Sequence, residues 1–202
     1  MCTRSFRFLL FLFVLHLLLP AAHAQFVVNS TGQDGDGNLG DGICDTGFGQ
    51  NLTGECTFQA ALDEANARSG TDVIHFNIPG AGPHVIQSAS FSDFTISETV
   101  EIDGYTQPGA VPNTNPAPQG LNAQPMIVLS NTGFGPSIII SSNAPGTVIR
   151  GLVFQNFGVQ NLGTALLSFA EGVRIEGCFF GTDAAGVVAV PNGQGLQISG
   201  AN

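Results

Sequence analysis

The sequence of 202 residues has no lysine, and it contains five arginines but fifteen aspartate and glutamate residues. The formal net charge is therefore −10 at pH 7. Nucleic acids and anionic membrane surfaces are bound mainly through Lys and Arg. The shortage of basic residues excludes nucleic acid as a partner, and it argues against acidic polysaccharides unless a cation bridges the two negative partners.

The sequence also lacks an apolar run long enough to span a bilayer. Its longest run, Phe8–Leu19, has twelve residues, whereas a transmembrane helix needs about 20. Two arginines precede this run, and the small-residue site Ala22-His23-Ala24 follows it, which is the pattern of a secretory signal peptide. We therefore expect cleavage after Ala24, removal of residues 1–24, no membrane span, and a secreted or cell-surface location.

Cysteine is scarce, with four residues in the whole chain. Cys2 belongs to the expected signal peptide. Cys44 and Cys56 lie in a Gly/Asp-rich loop, and because exported proteins form disulfides readily, we predict that these two are bonded. Cys178 lies in an apolar run and is interpreted as a small buried residue.

Glycine and proline are abundant, with 27 and 11 residues, and they separate short apolar runs. This pattern excludes a doubly wound α/β fold. Beyond residue 100 the tripeptide Ile-x-Gly occurs four times, and its glycines are 47, 26 and 23 residues apart. We interpret the interval of 47 as about two units of one repeat. The four copies are Ile102-Asp103-Gly104, Ile149-Arg150-Gly151, Ile175-Glu176-Gly177 and Ile198-Ser199-Gly200.

A repeat of this length, made of short apolar strands and Gly-rich turns, is typical of a solenoid. A β-sandwich would also have short strands between turns, but the repeat favours stacked coils. We therefore predict an all-β fold, namely a right-handed parallel β-helix with an α-helical cap at its N-terminal end.

The cap is predicted over Thr57–Arg68, where Thr57 can act as the N-cap and the apolar residues share one face. The expected organisation is a signal peptide over residues 1–24, a cap region over 25–70 and coils over 71–202. The last predicted coil has no cap, so we expect either truncation, with further coils of the same chain beyond it, or a self-association partner at this C-terminal edge.

Several segments resemble a known module. The segment Gly54–Ala67 resembles the CSLREA motif of bacterial exported proteins, and Gly40–Asp45 resembles the companion cysteine segment of that module. Gln59-Ala60 stands where the family usually has Arg-Glu. Ile102–Gly109 and Phe180–Gly186 resemble segments of parallel β-helix repeat proteins that occur with it. The resemblance implies a secreted or surface-displayed bacterial protein of the pectin-lyase-like superfamily, in which adhesion or surface binding is suspected more often than polysaccharide cleavage.

Two carboxylates are the candidate catalytic residues. Glu101 and Asp103 alternate with apolar residues and should face outward on one strand, about 7 Å apart. That separation falls within the range for an inverting glycosidase, although solvated surface charges are the commoner explanation of such a pattern. Arg150 and Arg174 occupy similar positions in successive repeats, and we expect them to pair with Glu171 or Glu176.

A glycine-rich acidic loop is a candidate calcium site, because oxygen-bearing side chains recur at alternating positions. The first three match the opening ligands of an EF-hand-type loop, and the last falls at its twelfth position. Leu39 stands where that loop has Gly, and a solvated acidic turn is the alternative. The candidate ligands are Asp34, Asp36, Asn38, Asp41 and Asp45.

Export, repetition and the absence of a full catalytic set favour an adhesin-like scaffold that binds carbohydrate or other cell-surface molecules. The alternative is a polysaccharide-degrading enzyme, a glycoside hydrolase or lyase, that uses Glu101 and Asp103 as acid and base. A structural stalk without a ligand is the third possibility.

Overall fold

The structure is a computed structural model that describes residues 23–88, 94–131, 138–158 and 163–200. The expected signal peptide lies outside the described residues except for His23 and Ala24. The described residues form one α-helix and thirteen strands. In chain order these are β1 (Gln25–Val28), α1 (Phe58–Asn66), β2 (Asp72–Phe76), β3 (His84–Gln87), β4 (Phe94–Ile96), β5 (Val100–Asp103), β6 (Ile127–Ser130), β7 (Ile138–Ile140), β8 (Val148–Arg150), β9 (Leu152–Gln155), β10 (Thr164–Ser168), β11 (Arg174–Glu176), β12 (Phe179–Phe180) and β13 (Gln194–Ile198).

The strands form three parallel sheets. The first sheet has the order β1-β2-β5-β8-β11, the second β3-β6-β9-β12 and the third β4-β7-β10-β13. From β2 onward, successive strands enter the three sheets in rotation, so each strand pairs with the strand three places before or after it. Parallel strands that are neighbours in a sheet need a crossover connection. Between β2 and β5, for example, the intervening strands β3 and β4 belong to that connection.

The core lies between the sheets and is built by alternation along each strand. In the first sheet, Ile74, Ile102 and Ile149 are successive register partners, and all three are fully buried. Burying an isoleucine side chain stabilises a fold by about 1.5–3 kcal/mol. In each strand, the residues immediately before and after the isoleucine point to the opposite face of the sheet.

Helix α1 confirms the predicted helix and its N-cap. The Thr57 hydroxyl accepts a hydrogen bond from the Ala60 backbone N–H at 3.0 Å. The helix packs against β1, β2 and β4, and its Phe58 ring meets the Phe94 ring edge-on, with 4.8 Å between centroids. At nine residues it is short, and in the described ranges no helix is long and apolar enough to cross a bilayer.

The prediction of a right-handed parallel β-helix is wrong, because the described residues form three parallel sheets with one α-helix and no clear single right-handed solenoid. The repeat that suggested it is irregular. Ile102 pairs directly with Ile149. The interval of 47 residues is therefore a single repeat unit that the long segment 104–126 lengthens, and it does not contain two units. The fourth tripeptide, Ile198-Ser199-Gly200, belongs to the third sheet, since Ile198 pairs with Ser168.

The predicted disulfide between Cys44 and Cys56 is present, and Cys178 is unpaired and partly buried. The bond closes a loop across a sequence separation of 12. Replacing both bonded cysteines by serine is expected to lower the free energy of unfolding by about 3 kcal/mol, because the unfolded chain regains the entropy that the loop removes. Urea unfolding measures this loss. Reduced wild-type protein is the matched control and should lose as much, whereas unchanged stability in both samples would contradict the prediction.

Candidate functional site

Three of the four Ile-x-Gly tripeptides lie side by side in the first sheet. Ile102, Ile149 and Ile175 are register partners and point inward, so the residues around them form two columns on the outward face. One column is His75, Asp103, Arg150 and Glu176, and the other is Val73, Glu101, Val148 and Arg174. The repeat therefore places charged residues of three separate segments next to one another.

The charges in these columns compensate one another. Arg150 contacts Glu101 through Nη2 and Asp103 through Nε, the latter at 3.0 Å. Arg174 donates from Nε to Glu176 Oε1 at 2.9 Å. The expected pairing of Arg174 with Glu176 is thus confirmed, whereas Arg150 pairs with the two carboxylates of β5. Partly exposed pairs of this kind contribute about 0–1 kcal/mol each, so their main effect is on the charge of the surface.

Tyr105 lies across the glycines of the next two tripeptides. Its hydroxyl donates to the Gly177 carbonyl at 2.9 Å, and its backbone N–H donates to Asp103 Oδ1 at 3.0 Å. Gly151 has a φ of +69°, and a Cβ there would lie 2.8 Å from the Tyr105 ring. The glycine of the repeat is therefore required both by backbone conformation and by the aromatic ring above it.

Burial raises the pKa of Tyr105 above its ordinary value, and the neighbouring Cys178 and Asp103 shift it in the same direction. The phenol therefore keeps its proton at neutral pH and remains a hydrogen-bond donor. Tyr105 is not among the site residues predicted from the sequence. The available signal was that the only tyrosine of the chain directly follows an Ile-x-Gly tripeptide.

An open cleft of about 540 Å³ lies on this face. One wall comes from the long segment after β5, which folds back on itself through paired backbone hydrogen bonds between Val111 and Gln124. The cleft combines carboxylate acceptors, guanidinium and amide donors and one aromatic ring, which suits a ligand rich in hydroxyl groups. Its lining residues are Asp103, Tyr105, Pro112, Asn113, Arg150, Glu176 and Gly177.

The two predicted catalytic residues share one partner. Glu101 and Asp103 both project from the outward face of β5, as the alternation indicated, and both contact the same Arg150 guanidinium. Asp103 lines the cleft. The arrangement is an ion-paired triad in which each carboxylate has a fixed partner, and a role for the pair as acid and base stays a prediction.

The acidic loop uses its carboxylates to hold its own backbone. Asp45 is buried and accepts hydrogen bonds from the backbone N–H groups of Gly47, Thr53 and Gly54 at 2.7, 2.8 and 2.5 Å. Asp36 accepts from Asn38 and Asp45 in the same way.

Asp41 likewise accepts from the Ile43 N–H, and Asn38 accepts from the Gly49 N–H through Oδ1. Asp34 contributes its backbone carbonyl, which accepts from the Thr57 hydroxyl. Within the described ranges, no three His, Cys, Asp or Glu side chains are grouped so that they could hold a metal ion. The observed contacts therefore account for the loop as a turn, and calcium binding stays a prediction.

The hydrogen bonds to Asp45 lower the pKa of its carboxyl below the usual 3.8, and the backbone hydrogen bond from Thr53 has the largest effect. Asp45 therefore stabilises the fold above its unfolded-state pKa, and this contribution is lost as the pH falls through the lower folded-state pKa. Asp45→Asn should lower the melting temperature at neutral pH, and the difference from wild type should shrink below pH 3.8.

Asp41→Asn is the matched control for this experiment, because exposed Asp41 accepts one backbone hydrogen bond, from Ile43. Its melting temperature should follow that of the wild type at every pH. A difference between Asp45→Asn and wild type that does not change with pH would contradict the account.

Glu64 was not identified from the sequence, although it connects the helix to the acidic loop. It is fully buried in α1 and accepts from the backbone N–H groups of Gly40 and Gly42. Burial raises the pKa of its carboxyl. Its helical position among alanines gives no signal of this role, because both partners lie more than twenty residues earlier in the chain.

No protein-family model matches this chain, and no curated protein or solved structure matches it either. The function must therefore be argued from the chemistry of the site itself.

Proposed function

We propose that this chain is a secreted or cell-surface protein that acts as an adhesin-like scaffold and binds carbohydrate. The observation that carries the proposal is the cleft on the outward face of the first sheet. Its charged residues come from three strands, β5, β8 and β11, and its aromatic residue, Tyr105, is fixed by contacts to Gly151 and Gly177. A site on neighbouring strands of a sheet is rigid, which favours recognition of a stiff polymer.

Sugar hydroxyl groups both donate and accept hydrogen bonds, and the cleft offers both kinds of partner. Asp103 and Glu176 provide acceptors, Arg150 and Asn113 provide donors, and the Tyr105 ring provides apolar area for a sugar face. A volume of about 540 Å³ lies within the range of small-ligand sites. The cleft is open, so a longer chain could pass through it.

The proposed location rests on the N-terminal pattern and on the disulfide. A signal peptide over residues 1–24 would direct the chain to an oxidising compartment, where a bond such as Cys44–Cys56 persists. The segment Gly54–Ala67 supports the same location through its resemblance to the CSLREA module of exported bacterial proteins.

A second partner is proposed at the edge formed by β11, β12 and β13, each of which has one neighbour in its sheet among the described strands. Leu196 and Ile198 are 42% and 62% exposed there, whereas their register partners Leu166 and Ser168 are fully buried. Edge strands have backbone groups without a partner on one side, and those that also expose apolar residues recruit further strands. We propose that further strands of this chain or a second copy of it cover this edge.

The binding proposal is tested by incubating the purified chain with a panel of plant and microbial polysaccharides. Affinity electrophoresis measures retention, and product analysis detects released oligosaccharides or unsaturated ends. The proposal predicts retention by at least one polysaccharide without cleavage products. Tyr105→Ala should abolish the retention, and Gln87→Ala, an exposed residue of the second sheet, should preserve it.

Other outcomes would contradict the proposal. Cleavage products that disappear in Glu101→Gln or Asp103→Asn would instead support the polysaccharide-degrading enzyme. Retention by no polysaccharide would support a structural stalk. Retention that Tyr105→Ala leaves unchanged would place carbohydrate binding somewhere other than the cleft.

A further inference from the structure

We infer that the cleft recognises uncharged polysaccharides and discriminates against those that carry uronic acids. This inference rests on the proposed function, since it specifies the ligand class of the same cleft. It follows from the way in which the charges of the site are already compensated.

The cationic groups near the cleft already contact carboxylates of the protein. The Arg150 guanidinium contacts two carboxylates, Glu101 and Asp103, and the Arg174 guanidinium contacts Glu176. The remaining N–H groups of Arg150 can donate to an uncharged sugar hydroxyl. A uronate that reached the same groups would lie beside the carboxylates that already contact Arg150, and like charges at such a distance repel each other.

The site as a whole also carries excess negative charge. Three carboxylates stand in the two outward columns against two guanidinium groups. The third described arginine, Arg68, lies elsewhere, against the acidic loop at Gly42. The whole chain is also strongly acidic, with a net charge of −10. An anionic polymer is therefore repelled both at a distance and in the cleft.

The hydrogen-bonding groups that remain for a ligand include free carboxylate oxygens. Glu176 contacts Arg174 through Oε1, and among the described residues no donor contacts its Oε2. Glu101 likewise uses Oε1 toward Arg150. Free carboxylate oxygens accept hydrogen bonds and cannot donate them. A sugar hydroxyl can donate to them, whereas a ligand carboxylate has no proton to offer at neutral pH.

Isothermal titration calorimetry at neutral pH and low salt tests the inference with hexasaccharides of equal length. The probes are cellohexaose, xylohexaose and mannohexaose as uncharged chains and hexagalacturonate as the anionic chain. We expect the best uncharged probe to bind at least about tenfold more tightly than hexagalacturonate. Added salt should narrow this ratio, because it screens the repulsion.

A charge variant makes the test specific to the site. Glu176→Gln frees Arg174 and removes one negative charge from the cleft, so it should reduce discrimination against hexagalacturonate by about three- to tenfold. Glu171→Gln is the matched control, because it makes the same charge change on an exposed residue outside the cleft lining. The discrimination ratio should be the same in Glu171→Gln as in wild type.

The possible failures can be told apart. Binding of hexagalacturonate that equals or exceeds binding of the uncharged probes would overturn the inference and leave the proposed carbohydrate binding intact. Equal effects of Glu176→Gln and Glu171→Gln would also overturn it. Binding of no probe here, together with no retention in the wider polysaccharide panel, would reject the proposed function and the inference with it.

Discussion

Ile149→Ala is expected to lower the free energy of unfolding by about 2–5 kcal/mol, because it removes buried methyl groups and leaves a cavity that the surrounding strands cannot fill. Ile149 is fully buried and stands in register between Ile102 and Ile175, in a strand with a neighbour on each side. The backbone of parallel strands is fixed by hydrogen bonds to both neighbours, so the site cannot collapse easily. Chemical denaturation followed by circular dichroism measures the change.

Val148→Ala is the matched control, because Val148 is the adjacent residue of the same strand and lies half-buried on the outward face. Its replacement should change stability by about 1 kcal/mol or less. Equal losses at the two positions would contradict the assignment of inward and outward faces in the first sheet, and with it the two columns of charged residues.

Gly151→Ala is expected to destabilise the protein and to disrupt the cleft. The φ of +69° alone costs an alanine about 1–2 kcal/mol. A methyl group at this position would also meet the Tyr105 ring at 2.8 Å, so the ring must move from its place over the tripeptide glycines. Carbohydrate binding should then be lost even in the fraction of the protein that remains folded.

Gly146→Ala separates the two effects. Its φ is +73°, close to that of Gly151, but nothing lies within 4 Å of a Cβ built there. The variant should show the conformational cost alone and should keep carbohydrate binding. If Gly151→Ala and Gly146→Ala lose equal stability and both still bind, then the contact with Tyr105 does not shape the site.

Local features of the fold could be read from the sequence. The helix follows from an N-cap threonine and an apolar face, and the disulfide follows from two cysteines in one short loop. The outward placement of Glu101 and Asp103 follows from simple alternation along a strand. Each of these depends on residues close together in the chain.

Longer-range features could not be read in this way. In the sequence alone, the segment 104–126 is consistent with part of a regular repeat. Only the pairing of β5 with β8 shows that this segment leaves the sheets. Strands such as β4 and β12, with three and two residues, are too short to give a periodic signal. They are fixed by their neighbours in the sheet rather than by their own sequence.

In the candidate site, too, the sequence predicts the local features and misses the contacts between distant residues. Its charged residues were visible in the repeat, but the partner of Arg150 depends on which strands are adjacent, so the sequence favoured Glu171 or Glu176 instead. The role of Tyr105 depends on Gly177, which is 72 residues later in the chain. No local pattern connects the two.

The claim that the cleft binds carbohydrate can be tested most directly by intrinsic fluorescence, because Tyr105 is the only tyrosine and the chain contains no tryptophan. Titrating the protein with the polysaccharide that retains it best should change the tyrosine emission saturably and protect it from acrylamide quenching. The affinity obtained in this way should match that from calorimetry. If the same polysaccharide binds by calorimetry and leaves both the emission and the quenching of Tyr105 unchanged, the ligand binds elsewhere and the account of this cleft is wrong.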